Sequence, residues 1–105
     1  MRKKIEITDE LLDAAECSSP SNCAVAMAIN AVIDSQHYYA TVTGPHYRIW
    51  DRATGEAIGR KLPTSDEVSA FVVQFDTWNK SPNMKRPTPQ SFEIDIPGTF
   101  LKLAV

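Results

Sequence analysis

Two cysteines and two histidines are the side chains of this sequence with the most reactive chemistry. Cys23 is predicted to lie in the first turn of a helix, where the helix dipole can lower the pKa of a thiol and favour the nucleophilic thiolate. A cysteine nucleophile also needs a general base, and His37 and His46 are present without any signal that places either beside Cys23. A Cys23 thiol-dependent enzyme is therefore one hypothesis. A small buried cysteine and a bridge between Cys17 and Cys23 are the alternatives.

The same four side chains lack the spacing of a preorganised zinc site. Cys17, Cys23, His37 and His46 are separated by 5, 13 and 8 residues. Structural zinc sites instead pair their ligands across about two to five residues. The four glycines are scattered singly, so no glycine-rich phosphate loop is present. We therefore expect no metal, no cofactor and a protein that is not an enzyme.

An aromatic residue between two arginines forms a second candidate site. Arg48, Trp50 and Arg52 alternate along a predicted strand and share one face, while Tyr47 and Ile49 share the other. If Tyr47 and Ile49 face the core, Trp50 stands between two cations in solvent. Such a surface is typical of a stacking platform for single-stranded nucleic acid or of a protein-binding hot spot. A nucleic-acid-binding accessory or regulatory protein is therefore a further hypothesis. Its alternative is a Trp50 packed beneath a neighbouring strand or beneath the proline-rich loop of residues 79–90.

Acidic residues are concentrated near the start of the chain. The 105 residues include 11 Lys and Arg against 13 Asp and Glu, a formal net charge of −2. Residues 5–47, however, contain six carboxylates and no Lys or Arg. Five of them belong to the first predicted strand and helix: Glu6, Asp9, Glu10, Asp13 and Glu16. Such a surface repels nucleic acid and attracts basic protein surfaces, so we expect these five residues to bind a partner, with a solvated helix face as the alternative.

The elements that position these residues follow from local patterns. Alternation of apolar and polar side chains over residues 5–7 predicts a strand, after which Thr8 can cap a first helix. Ser19 before Pro20, or else Ser21, is expected to cap a second helix that runs to about Asp34. Residues 37–43, 46–51 and 56–62 read as three strands joined by short turns.

The last third of the chain carries the clearest local signals. Thr64 and Glu67 have the spacing of a capping box before a helix with an apolar stripe. Residues 91–96 alternate strictly between apolar and polar, as in a half-buried strand. Residues 98–105 form an apolar tail that must be covered by its own domain or by a partner.

Together these elements predict a single α+β domain over residues 1–105. The expected order is strand-helix-helix-strand-strand-strand-helix-strand, with three helices and a mainly antiparallel sheet of about four to five strands. A composition of 43% hydrophobic and 23% charged residues is ordinary for a globular protein. No apolar run reaches the length of a membrane span, and acidic residues follow the basic N-terminus where a signal peptide would be apolar. We expect a cytoplasmic protein, monomeric or a small homo-oligomer, with no membrane partner.

Several segments together resemble small proteins encoded by phages and prophages. The opening Ile7-Thr8…Leu11 precedes the break at residues 17–22 and the helix start Cys23-Ala-Val-Ala-Met-Ala28. Phe71-Val-Val-Gln-Phe75-Asp76 is similar to the end of the late helix of these proteins, and Pro89-Gln-Ser-Phe92-Glu93-Ile94 to their closing strand. Ala24 stands where these proteins often have proline. The resemblance covers most of the chain, and its motifs are packing signatures that carry no chemistry.

The resemblance implies a class of function. Small phage proteins that are acidic or charge-segregated include counter-defence inhibitors, among them anti-CRISPR proteins, which commonly bind a Cas subunit and block DNA recruitment. The leading hypothesis is a non-enzymatic phage or mobile-element protein that acts in the cytoplasm of a bacterial host. Its acidic helix would mimic DNA and occupy a basic groove on a host protein such as a Cas subunit.

Overall fold

A computed structural model describes residues 2–15, 23–43, 45–80 and 87–102, with only the backbone of Asn79 and Lys80. The strands are β1 (Arg2–Ile7), β2 (Tyr38–Thr43), β3 (His46–Asp51), β4 (Ala57–Pro63) and β5 (Gln90–Asp95). The helices are α1 (Asp9–Ala14), α2 (Ala24–Asn30) and α3 (Asp66–Lys80), and a 3-10 turn spans Gly98–Phe100. The predicted α+β class and the predicted order of elements are confirmed.

The five strands form two antiparallel sheets, not the one sheet that was predicted. β2, β3 and β4 make a meander, whereas β1 pairs with β5 in a separate two-stranded sheet. In that second sheet Ile5 lies opposite Phe92. Local patterns predict each strand but not this partnership, because the paired residues are more than 80 positions apart in sequence.

Helix α2 lies at the centre of the core. Its residues Ala24, Val25, Ala26, Ala28 and Ile29 are all buried. It contacts α1, α3, β1 and β2, so it packs against elements of both sheets. Its alanines have little bulk, which lets neighbouring backbones approach closely.

Tyr47 provides a direct link between the two sheets. Its side chain extends from β3 into the core and is only 1% exposed. Its hydroxyl donates a hydrogen bond to the backbone carbonyl oxygen of Asp95 in β5. Burial, and secondarily the charge of Asp95, raises the pKa of Tyr47 to about 12.

Helix α2 begins later and ends earlier than predicted. Its N-cap is Cys23 rather than Ser19 or Ser21, which lie outside the described residues. It ends at Asn30 rather than near Asp34. Helical hydrogen bonds continue to the Ile33 amide, which donates to the Ile29 carbonyl oxygen. Tertiary contacts then follow: Ile33 forms a β-bridge with Leu101, and the Asp34 amide donates to the Phe100 carbonyl oxygen.

The start of α3 differs from the prediction by one residue. The helix begins at Asp66, and the Ser65 hydroxyl accepts a hydrogen bond from the Val68 amide at 3.2 Å. Thr64, the predicted cap, instead lies with its hydroxyl 3.4 Å from that of Ser69. Both hydroxyl residues suit an N-cap, so sequence alone does not separate two adjacent candidates.

The apolar patterns of the last third are confirmed. Phe92, Ile94 and Ile96 are buried while Glu93 and Asp95 are exposed. The apolar stripe of α3 packs inward as Val68, Phe71 and Phe75, with Val72 and Trp78 partly buried. Phe100 and Leu101 pack on the chain's own core, and Leu103 and Val105 lie outside the described residues. No helix in the described ranges has the length and apolar character needed to cross a bilayer.

Candidate functional site

The predicted acidic residues lie on exposed positions of β1 and α1. Thr8 caps α1 by accepting a hydrogen bond from the Leu11 amide at 3.2 Å, as predicted. Buried Leu12 anchors the helix to the core, so its acidic positions remain at the surface. The exposed acidic residues on these elements are Glu6, Asp9, Glu10 and Asp13, and β1 also carries the exposed cations Arg2, Lys3 and Lys4. Glu16, the fifth predicted residue, lies outside the described residues.

Three of these acidic residues line one shallow depression. Glu6, Asp9 and Glu10 line a volume of about 480 Å³ against residues 89–91 of the segment that leads into β5. None of the described lining residues is Lys or Arg. Lys4 Nζ lies 3.8 Å from Glu6 Oε1, but both side chains are more than 60% exposed, so water and salt screen the pair. Asp13 does not line the depression. We call Glu6, Asp9 and Glu10 the acidic depression.

The second candidate site lies on the outer face of the β2–β3–β4 sheet. Tyr47 and Ile49 are buried, so Arg48 and Trp50 face outward, as the strand pattern predicted. Trp50 lies directly opposite Tyr39 in the β2–β3 register. Their rings are almost parallel, at 9°, with centroids 6.1 Å apart. This spacing is typical of an offset stack, which leaves part of each ring face uncovered.

An arginine lies at each end of this aromatic pair. The Arg48 guanidinium carbon is 5.8 Å from the centroid of Trp50, and that of Arg52 is 5.3 Å from the centroid of Tyr39. Both distances are in the range of cation–π contacts. We call the row Arg48–Trp50–Tyr39–Arg52 the aromatic ladder.

Hydrogen bonds hold three members of the ladder in place. Trp50 Nε1 donates to Thr41 Oγ1 at 2.9 Å. Arg52 Nε donates to the Ser35 carbonyl oxygen at 2.7 Å, and Arg48 Nη2 to that of Gly59 at 3.2 Å. Arg48 Nε is buried and has no hydrogen-bond partner among the described residues. The Trp50 indole is thus part-exposed, with its orientation fixed by the Thr41 hydrogen bond, and it is not packed beneath a neighbouring strand.

Sequence reasoning missed Tyr39 as a ladder residue. A usable signal was present, because the predicted turn at Gly44-Pro45 pairs Thr43 with His46. Counting back from that pair places Tyr39 opposite Trp50, as the structure has it.

Cys23 has the environment of a structural thiol. It is 7% exposed, unbridged, and its Sγ accepts a hydrogen bond from the Ala26 amide at 3.4 Å. Burial raises the pKa of this thiol, an effect that outweighs the lowering by backbone amides. The alternative of a small buried cysteine is therefore confirmed for Cys23, and its pKa is raised where a nucleophilic thiol needs it lowered. Cys17 lies outside the described residues.

The two histidines are exposed. His37 Nδ1 lies 2.7 Å from Asp34 Oδ2, and His46 is paired with Thr43 at the β2–β3 turn. Across the described ranges, no three His, Cys, Asp or Glu side chains are grouped closely enough to hold a metal ion.

Comparisons with protein families, curated proteins and solved structures find no match to this chain.

Proposed function

We propose that this protein is a non-enzymatic phage or mobile-element protein that binds a host protein, most concretely an anti-CRISPR-type inhibitor. Its acidic residues would occupy a basic groove that normally holds nucleic acid. The observation that carries the proposal is the convergence of Glu6, Asp9 and Glu10 on one depression without a basic lining residue. Asp13 extends the negative surface along α1, and Glu16 completes the predicted set.

Charge complementarity is the physical basis of this proposal. Carboxylates gathered on one surface create a negative potential that accelerates encounter with a Lys- or Arg-rich groove. Nucleic acid binds such grooves through its phosphates, and a set of fixed carboxylates can compete for the same cations. Glu6 also pairs with Lys4 at the surface, where water and salt weaken the pair.

An interference assay with matched variants tests the proposal. Bacterial strains that carry defined CRISPR-Cas types are transformed with a targeted plasmid while they express this protein. We expect plasmid survival in at least one strain with the wild-type chain and its loss with a Glu6→Gln/Asp9→Asn/Glu10→Gln variant. These substitutions remove charge and keep shape, so thermal unfolding should shift by only a few degrees.

The control variant is Glu56→Gln/Glu67→Gln/Glu93→Gln, which removes three exposed carboxylates outside the acidic depression. It should protect the plasmid as well as the wild type does. The anti-CRISPR form of the proposal fails if no strain is inhibited. If the neutralised depression variant inhibits as strongly as the wild type, the acidic depression is not the binding surface.

A further inference from the structure

We propose that the aromatic ladder binds single-stranded nucleic acid. This surface shares no residue with the acidic depression, so the inference is independent of the protein-binding proposal. It assigns a second ligand to the chain, on the outer face of the β2–β3–β4 sheet.

The rings of the ladder are placed to stack with unpaired bases. Tyr39 and Trp50 are partly exposed, parallel and offset, so each retains uncovered ring surface. The hydrogen bond from Trp50 to Thr41 restricts the orientation of the indole. This restriction reduces the conformational entropy that Trp50 loses when a base stacks on it. Base–aromatic stacking of this kind is tolerant of sequence, because every base has a π-face.

The arginines of the ladder can receive phosphates. Arg52 uses Nε to bind the Ser35 carbonyl, and its two terminal nitrogens have no hydrogen-bond partner among the described residues. Those nitrogens can bind a phosphate in the bidentate geometry that arginine favours. Consecutive groups of the ladder are 5.3–6.1 Å apart, so cations and rings are interleaved along one row.

Arg48 can also move away from Trp50, at the cost of the hydrogen bond from its Nη2 to the Gly59 carbonyl oxygen. Its present position leaves Nε buried and unpaired among the described residues, a cost that opposes its contact with the ring. A ligand that draws this guanidinium toward a phosphate would relieve that cost and uncover more of the indole. The half-buried Arg48 is thus a contact that can open when a strand binds.

Charge on this face favours a polyanion. The outward positions of the paired strands carry no carboxylate in the described register: Tyr39, Thr41, Thr43, His46, Arg48, Trp50, Ala57 and Pro63. Arg60 and Lys61 add exposed cations in the irregular part of β4. Residues 38–63 as a whole contain four basic and two acidic residues, in contrast to the chain's net charge of −2. Each of these outward residues is exposed or part-exposed.

These features favour a single strand over a duplex or an acidic protein. A duplex hides its base faces within the stack and would leave Tyr39 and Trp50 without partners. An acidic peptide would satisfy the arginines, but it lacks the planar groups that parallel rings accept at regular spacing. A flexible single strand supplies phosphates and bases together.

Fluorescence anisotropy of labelled dT20 and U20 oligonucleotides tests the inference at 50 and 200 mM salt. We expect the wild-type protein to bind both oligonucleotides. Its affinity for a matched 20-base-pair duplex should be at least tenfold lower than its affinity for either single strand. Affinity should fall with salt, because phosphate contacts release counterions. Trp50→Ala should weaken oligonucleotide binding by about tenfold, in line with the loss of one stacked base. Trp50→Phe should retain most of the affinity and so separates lost stacking from a folding defect.

Paired charge variants localise the effect. Arg48→Gln/Arg52→Gln should weaken binding and flatten the salt dependence. Lys3→Gln/Lys102→Gln removes the same charge away from the sheet face and should do neither. Equal weakening by both pairs would show non-specific attraction and overturn the inference, as would no binding at 50 mM salt.

Stronger binding of labelled poly-glutamate than of dT20 would assign the face to an acidic protein instead. The Glu6→Gln/Asp9→Asn/Glu10→Gln variant should bind dT20 at least as well as the wild type, which keeps failure of this inference distinct from failure of the protein-binding proposal.

Discussion

The Asn30 side chain pairs with both backbone groups of Ala40. Its Oδ1 accepts from the Ala40 amide at 2.8 Å, and its Nδ2 donates to the Ala40 carbonyl oxygen at 3.5 Å. Ala40 lies on β2, one of the two edge strands of the three-stranded sheet, opposite Ile49 of β3. The amide of Asn30 thus replaces a neighbouring strand at this point and protects the edge from pairing with another chain.

Loss of this amide should destabilise the fold. Ala40 is 0% exposed, so Asn30→Leu leaves a buried donor and a buried acceptor without partners. We expect the free energy of unfolding to fall by about 1–3 kcal/mol, measured by urea denaturation. Gln36→Leu is the control, because Gln36 is exposed and its side-chain amide makes no described hydrogen bond. It should change stability by less than about 0.5 kcal/mol. Equal losses in the two variants would show that the Asn30–Ala40 pair does not stabilise the edge.

Tyr47 should make stability fall at high pH. Its folded-state pKa of about 12 lies above the ordinary value near 10. The stabilisation by the neutral hydroxyl is therefore complete below pH 10 and is lost as the pH rises towards about 12. Chemical denaturation at a series of pH values should show this decline in the wild type and a weaker one in Tyr47→Phe.

At neutral pH, Tyr47→Phe removes the hydroxyl that donates to the Asp95 carbonyl oxygen. We expect a loss of about 1–2 kcal/mol in the free energy of unfolding. Tyr38→Phe is the matched control, since the Tyr38 hydroxyl has no described hydrogen bond. A Tyr47→Phe protein as stable as the wild type, with the same pH profile, would contradict a sheet-to-sheet link through this hydroxyl.

The two adjacent hydroxyl residues before α3 should differ in their effect on stability. Ser65→Ala removes the acceptor of the Val68 amide and should cost about 1 kcal/mol, as loss of an N-cap does. Thr64→Ala removes only the contact with Ser69 and should cost less. Thermal and urea unfolding of the two variants give the comparison. A larger loss from Thr64→Ala would restore the capping box that the sequence predicted.

Cys23 should react slowly while the protein is folded. The thiolate is the reactive form, and burial both raises the pKa of Cys23 and blocks access to reagent. In a Cys17→Ser background, iodoacetamide at neutral pH should label Cys23 at least about tenfold more slowly than it labels the same chain in urea. Labelling of the folded chain as fast as free cysteine would revive a thiol-dependent activity.

Short-range patterns predicted several elements correctly. The alternation of Phe92, Ile94 and Ile96 and the apolar stripe of α3 identified their elements and buried faces, because side-chain periodicity is a property of the backbone alone. The same reasoning placed Arg48 and Trp50 on the face opposite Tyr47. Where two adjacent residues had similar N-cap propensities, as with Thr64 and Ser65, local pattern could not decide which one caps the helix.

Long-range contacts decided the remaining features. The sequence by itself determined the α+β class, the order of the elements and the outward position of Arg48, Trp50 and the described acidic residues. Only the tertiary structure paired β1 with β5, gathered Glu6, Asp9 and Glu10 on one depression, stacked Tyr39 on Trp50 and raised the pKa of Cys23. Propensity and periodicity act over a few neighbouring residues. Strand partnership, ring stacking and desolvation instead depend on which distant segments the folded chain brings together.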